Sequence, residues 1–201
     1  MTEKPTAQHT GRNSEPILEV LRSEFRQAGS VLEIGSGTGQ HAAAFAAELD
    51  HLIWQSSDLD ENHSGIRAWH ADADLPNLPE PLLLDVRNAE LSEDSYDAVF
   101  SANTAHIMSI STVEKMFVLV ATALRDGGVF CLYGPFLQNG EFNTSSNADF
   151  HRSLRERDPV QGIRDLEELD RFAAAGGMTR VRLYAMPANN FIAVWCRGVQ
   201  S

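Results

Sequence analysis

The sequence is short of positive charge: 16 Lys and Arg stand against 28 Asp and Glu, a formal net charge of −12. A sequence-independent grip on nucleic acid needs basic side chains to neutralise phosphates, so this composition argues against a nucleic-acid partner. It argues equally against binding to an anionic membrane surface. Cysteine is scarce. Cys131 and Cys196 are the only two, neither has a metal-ligand spacing, and the chain fits a reducing compartment. No apolar run approaches the roughly 20 residues of a membrane span, the longest being 116–124. The polar opening at 1–16 lacks the apolar core of a signal peptide, so a soluble cytoplasmic protein is expected. Also missing are a Walker lysine after the glycines, a G-x-S-x-G elbow and an HExxH pair. Residues 58–69 begin like a calcium loop, but His63 and Trp69 stand where that loop needs Gly and Glu. No metal is expected.

What is present reads as one unit, since 201 residues is an ordinary single-domain length. Residues 1–13 are expected to form a polar arm and 14–201 the domain. Ser14 reads as a helix cap with Pro16 in the first turn, where a missing N–H costs nothing. Ile17, Leu21, Phe25 and Ala28 then give one apolar helical face, closed by Gly29. Apolar runs at 31–34, 51–56, 82–86, 96–102 and 129–133 read as strands. Helices are expected at 40–49, 61–70, and from a capping box of Ser111 and Glu114 through Leu124. Such alternation implies a doubly wound, mostly parallel α/β sheet with helices on both faces. Residues 180–186 and 191–197 are strand-like around a tight turn, so the last strand is expected to run antiparallel to its partner. Asp165 and Glu168 mark another capped helix. The segment 134–164 breaks the rhythm with an Asn, Ser and Thr cluster and a helix near 149–157. A connection of that length is often functional, and it is expected to act as a lid.

The informative stretch is Glu33-Ile34-Gly35-Ser36-Gly37-Thr38-Gly39-Gln40-His41. Three alternating glycines between a strand and a helix exceed what a turn needs. They let a ligand touch the backbone beside the free N–H groups of the next helix. The dinucleotide fingerprint G-x-G-x-x-G/A fails from Gly35, because position 40 is Gln, and fits formally only from Gly37. Glu33 at the strand end would repel a pyrophosphate and suits a cationic ligand instead. Asp58, expected just beyond the second strand, can accept hydrogen bonds from ribose hydroxyls. Asp60 is the less favoured acid there.

S-adenosylmethionine meets these demands: it has a ribose, an adenine and two cationic groups, but no phosphate. The pattern resembles motifs I and II of the class I S-adenosylmethionine-dependent methyltransferases. The order of elements resembles their Rossmann-like seven-stranded sheet with one antiparallel strand. Residues 12–17, 33–41, 101–107, 133–136 and 186–190 more closely resemble a group of methyltransferase-like proteins catalogued as a domain of unknown function. Its eukaryotic relatives are called methyltransferase-like protein twenty-six. The resemblance implies S-adenosylmethionine as cofactor, S-adenosylhomocysteine as product, and a binding set of Glu33, Gly35, Ser36, Gly37, Thr38, Gly39, Asp58, Asp85, Val86 and Asn103. Asp85 serves equally well as a turn cap before Asn88.

For the chemistry, His106 follows the fourth strand and is the candidate base; its other reading is a helix-start or core histidine. Tyr133 either shapes the acceptor pocket or packs. Arg12 and Asn13 are expected in a flap, and Asn143 and Asn189 near a small-molecule acceptor, although asparagine also suits turns for its own sake. Two other classes remain open on sequence: an NAD-dependent oxidoreductase and a non-catalytic S-adenosylmethionine-binding protein.

Overall fold

The computed structural model describes residues 4–6 and 10–198. The strands are β1 (Ser30–Ile34), β2 (Ile53–Asp58), β3 (Leu82–Leu83), β4 (Tyr96–Ala102), β5 (Leu124–Gly134), β6 (Phe136–Leu137), β7 (Arg164–Asp165), β8 (Met178–Met186) and β9 (Asn190–Arg197). The helices are α1 (Thr10–Glu24), α2 (Gln40–Glu48), α3 (Asp60–Ala73), α4 (Ile110–Ala123), α5 (Ser145–Arg157) and α6 (Leu166–Ala175). Seven strands make one sheet in the order β3-β2-β1-β4-β5-β9-β8, while β6 and β7 pair with each other. β1 to β5 are mutually parallel, and β9 runs antiparallel to both β5 and β8. The tight connection between β8 and β9 forces that reversal. Among the described residues, no helix is long and apolar enough to cross a membrane.

Both faces of the sheet are buried because successive strand residues feed opposite layers. Leu32, Ile34, Val99 and Leu132 join Phe117 of α4 and Leu166 and Leu169 of α6. Val31, Ala98, Phe100 and Cys131 join Ile17 and Leu21 of α1, Phe25 just beyond it, and Phe45 of α2. Each large side chain removed from water contributes roughly 1.5–3 kcal/mol. The carboxyl ends of β1 to β5 therefore share one rim, and the amino end of β9 returns to it.

Several boundaries differ from expectation. α1 starts at Thr10, so Ser14 and Pro16 lie inside it rather than at its cap. Extending a helix already fixed by its buried face costs less than starting one. Ahead of α1, the Trp69 indole donates to Pro5 O at 2.8 Å, and Lys4 pairs with Asp72 at 2.5 Å. β2 runs through Asp58 because its polar end is paired internally, with the Ser57 hydroxyl donating to Glu33 O at 2.6 Å. β3 is only two residues long because the chain turns at Asp85, whose carbonyl accepts from Asn88 N and Ala89 N. Ser109, not Ser111, caps α4, accepting from Thr112 N at 3.2 Å. β5 begins at Leu124, directly after α4 and ahead of the two glycines expected to separate them. Asp165 caps α6, accepting from Glu167 N at 2.9 Å. Cys131 is a buried free thiol and Cys196 a half-buried one.

Candidate functional site

The glycine turn leaves β1 with Gly35, Gly37 and Gly39 at φ +74°, +57° and +86°. A Cβ on Gly35 would sit 2.6 Å from Thr104 Cγ2, whereas one on Gly37 would meet nothing within 4 Å. Gly35 thus seats the loop on β4's exit, and Gly37 presents bare backbone to open space. Gly35 N and Ser36 N both donate to Ser57 O at 3.0 Å. Glu33 is 2% exposed beneath the loop. Its Oε2 accepts from the Ser36 hydroxyl at 2.9 Å and the Trp54 indole at 3.1 Å. Burial raises its pKa to about 7 despite those two hydrogen bonds. Glu33 therefore braces the loop and does not face a ligand, because its place on β1 aims it toward the layer holding Trp54.

One cavity of about 690 Å³ lies against this loop. Gly35, Gly37, Asp58, Asp85, Val86 and Asn103 all line it. Ser36, Thr38 and Gly39 alternate away from it: Ser36 is buried under the loop, and Thr38 lines a separate outer recess with Pro5. Asp58 accepts from Gly37 N at 2.6 Å, Leu59 N at 2.7 Å and Asn62 Nδ2 at 2.9 Å. A carboxylate has about four acceptor positions, so one remains for a ligand hydroxyl. Asp85 pairs with Arg87 at 2.6 Å, and that hydrogen bonding holds its pKa below the usual carboxylate range. It also accepts from Arg87 N at 3.0 Å, so Asp85 both lines the cavity and organises its own turn. Leu59, Leu84 and Met108 add apolar walls that the sequence reading did not single out.

A second cavity of about 720 Å³ adjoins the first, and Asn103 and Ile107 line both. Asn103 is held at φ +61° with its N–H donating to Tyr133 O at 2.9 Å. His106 lines the second cavity, 8% exposed, with its ring edge-on to Phe150 at 5.4 Å. Burial, and then the nearby Arg164 cation, lower its pKa to about 4, so the imidazole is neutral at ordinary pH. Neither ring nitrogen has a hydrogen-bond partner among the described residues. The loop carrying His106 is pinned to the far end of the 134–164 segment. Gly162 N donates to His106 O at 2.9 Å. Arg164 donates to Ala105 O at 3.0 Å, to Val160 O at 2.8 Å and also to Met108 O.

The remaining expected residues divide. Asn13 lines the second cavity. Arg12 stands in α1, but its side chain lies outside the described residues. Tyr133 is 1% exposed and not in the cavity wall; its hydroxyl accepts from Asn190 Nδ2 at 2.9 Å, and it is Asn190 that lines the cavity. Burial pushes the Tyr133 pKa up. Asn143 and Asn189 hold the segment to the β8–β9 turn instead of facing the cavity, with Asn143 Nδ2 donating to Asn189 O at 3.1 Å. Asn147 makes the same contact at 3.0 Å and does reach the cavity. Asn147, Phe150, Leu154 and Arg157 form one face of α5, and their helical spacing was the available signal.

The sequence pattern of the family described as "Protein of unknown function (DUF938)" matches residues 4–197. Among solved structures, the S-adenosylmethionine-dependent methyltransferase SibL in its apo form is similar at 17% identity and TM-score 0.80, with 95% of this chain and 56% of that one covered. An O-methyltransferase family 2 protein from Planctomyces limnophilus, in complex with apigenin, is similar at 16% identity and TM-score 0.80, covering 94% and 59%. An O-methyltransferase from neocarzinostatin biosynthesis, in complex with S-adenosylmethionine and 2-hydroxy-5-methyl naphthoic acid, is similar at 18% identity and TM-score 0.75, covering 95% and 55%. The chain thus spans just over half the length of these proteins. At such identities the likeness fixes the fold, which is the Rossmann-like fold of class I methyltransferases.

Proposed function

The chain belongs to the DUF938 family, and we propose that it is an S-adenosylmethionine-dependent methyltransferase of the cytoplasm acting on a small-molecule acceptor. The observation that carries this reading is the meeting of two cavities at Asn103 and Ile107, one on the glycine loop and one under α5. A methyl donor and its acceptor need two adjoining sites of this kind. Similar proteins bind S-adenosylmethionine and planar phenolic molecules, which supports the same pairing here. The motifs at 12–17, 101–107 and 133–136 support kinship with methyltransferase-like protein twenty-six as part of this reading.

The first cavity suits the cofactor chemically. Asp58, Glu61 and Asp85 line it, and its one cation among the described residues, Arg87, is tied to Asp85. That set favours hydroxyls and a cationic ligand and repels a pyrophosphate. In this reading Gly35 and Gly37 lie against the methionine end, Asp58 takes ribose hydroxyls, and Asp85 and Val86 flank the adenine. Glu33, Ser36, Thr38 and Gly39 keep the loop in shape. Bound there, S-adenosylmethionine supplies a methyl group from a sulfonium, the sulfur–carbon electron pair returning to sulfur to leave S-adenosylhomocysteine. Asn103 and Ile107 align the acceptor atom with that methyl, and alignment alone can carry much of the rate. An acceptor arriving as a hydroxyl becomes strongly acidic as its oxygen bonds to the methyl carbon. Even the weakly basic imidazole of His106 can then take the released proton. Residues 134–164 form the lid, closing through α5 and the ties of Arg164.

Thermal unfolding in the presence of S-adenosylhomocysteine, S-adenosylmethionine and NAD tests the cofactor. A ligand at 100 times its Kd stabilises by about 2.7 kcal/mol, or roughly 5–10 °C in Tm at this size. The adenosyl ligands are expected to give that shift and NAD none; a shift with NAD alone would overturn the reading.

A further inference from the structure

The second cavity departs from the charge of the molecule around it. The chain carries 28 acidic side chains, yet no Asp or Glu among the described residues lines this cavity. Among the described residues its one charged lining side chain is Arg157, exposed at the end of α5. Arg157 makes no ion pair among the described residues; nor does Arg155, which does not line the cavity, while Arg152, five residues earlier, is paired with Asp149 at 2.9 Å. A second cation lies behind the wall. Arg164 is buried and spends its donors on the carbonyls of Ala105, Met108 and Val160, with no carboxylate bonded to it. The remaining wall is either apolar, at Ile107, Phe150 and Leu154, or amide, at Asn147 and Asn190. An uncompensated guanidinium beside an apolar wall, in a molecule of net charge −12, attracts one kind of small ligand.

We propose that the methyl acceptor carries a carboxylate, which pairs with the Arg157 guanidinium while an apolar body lies against Ile107, Phe150 and Leu154. The planar fork of arginine offers two parallel N–H donors that match a carboxylate's two oxygens. Held there, the acceptor directs its nucleophile toward Asn103 and His106, where the two cavities join. The inference rests on the methyl-transfer reading of the site and adds the chemical class of acceptor to it.

The experiment uses the full chain with S-adenosylmethionine labelled in its methyl group. It is offered a set of hydroxylated aromatic and aliphatic carboxylic acids, and the same compounds as primary amides. Turnover is expected among the acids, with their amides at least tenfold poorer in kcat/KM. Arg157→Ala is expected to raise KM for the best acid roughly ten- to a hundredfold, the size of one charge-assisted hydrogen bond. It should leave kcat within about twofold, and Arg157→Lys should restore part of the loss. Arg152→Ala, on the same helix but outside the cavity, should leave KM unchanged. Amides turned over as well as acids, a KM indifferent to Arg157→Ala, or no acid methylated at all would each overturn the proposal. Calorimetric titration with S-adenosylhomocysteine separates the two readings. If it binds wild type and Arg157→Ala equally, the variant is folded and any failure belongs to the carboxylate. If it does not bind wild type, the methyltransferase reading itself has failed and the acceptor class falls with it.

Discussion

Gly35→Ala and Gly37→Ala differ by one methyl group each, and the structure separates their consequences. Both positions hold positive φ, +74° and +57°, which costs an L-residue roughly 1–2 kcal/mol. Only Gly35 adds a collision, its new Cβ lying 2.6 Å from Thr104 Cγ2. Overpacking of this kind costs roughly 1–3 kcal/mol further. Gly35→Ala should therefore lose about 2–5 kcal/mol in urea unfolding, and Gly37→Ala about 1–2 kcal/mol. Thr104→Ser removes the offending Cγ2 but keeps the hydroxyl, which shares a 2.7 Å hydrogen bond with Ser101. Adding it to Gly35→Ala should recover the collision part and leave the backbone part. The double-mutant coupling should thus be roughly 1–3 kcal/mol. Gly37→Ala has nothing to collide with, but it lines the first cavity, so its larger effect should be on the affinity for S-adenosylhomocysteine. A Gly35→Ala protein within 1 kcal/mol of wild type, or one that Thr104→Ser fails to rescue, would refute the seating of the loop on Thr104.

Other consequences are electrostatic or structural. Glu33 has a folded pKa of about 7, above its unfolded value of 4.5, so its stabilising contribution is present below pH 4.5 and lost as pH rises through 7. Glu33→Gln should consequently raise urea stability at pH 8 by on the order of 1–3 kcal/mol and change it little at pH 4.5. His106 runs the other way: its folded pKa of about 4 lies below 6.5, so the unfolded chain binds the proton first and stability falls as pH drops from 6.5 toward 4. Its neutral form is complete above about pH 5, so the His106-dependent part of kcat/KM should be flat from pH 6 to 8; a titration near 6.5 in that profile would contradict its burial. Arg164→Met should free the carbonyls of Ala105, Met108 and Val160, at about 1–3 kcal/mol for each left buried and unpaired. Hydrogen exchange should then rise at 105–108 and 160–163 while the sheet stays protected.

What was legible in the sequence was what is encoded locally. Tyr96–Ala102 reads as a strand because its apolar residues serve two buried layers, and the structure gives β4 the same bounds. Gly35, Gly37 and Asp58 are legible because a strand-to-helix turn and the next strand's end each carry their own signature. β2, expected to end at Ser56, was cut short because Ser57 and Asp58 look like loop residues. Their polarity is satisfied inside the fold, by Glu33 O and by the loop's own N–H groups. Ser111 misled in the same way, since Ser109 two residues earlier makes the cap and no local pattern ranks one serine above the other.

The second cavity was legible only in part, because its wall is gathered from five separate stretches, at 13, 103–107, 135, 146–157 and 187–190. Four of them fall within the stretches that carry the family resemblance, 146–157 has no such motif, and the asparagines that looked like ligand contacts divide by geometry. Asn143 and Asn189 are consumed in joining the 134–164 segment to the β8–β9 turn, and Asn147 takes part in the joint while still facing the cavity. Fastening and recognition are thus drawn from one residue type within one short segment. A polar cluster in a long connection is therefore weak evidence of ligand contact until the partners of each amide are known. Arg157 on the same helix is stronger evidence, because it lines the cavity and makes no ion pair among the described residues.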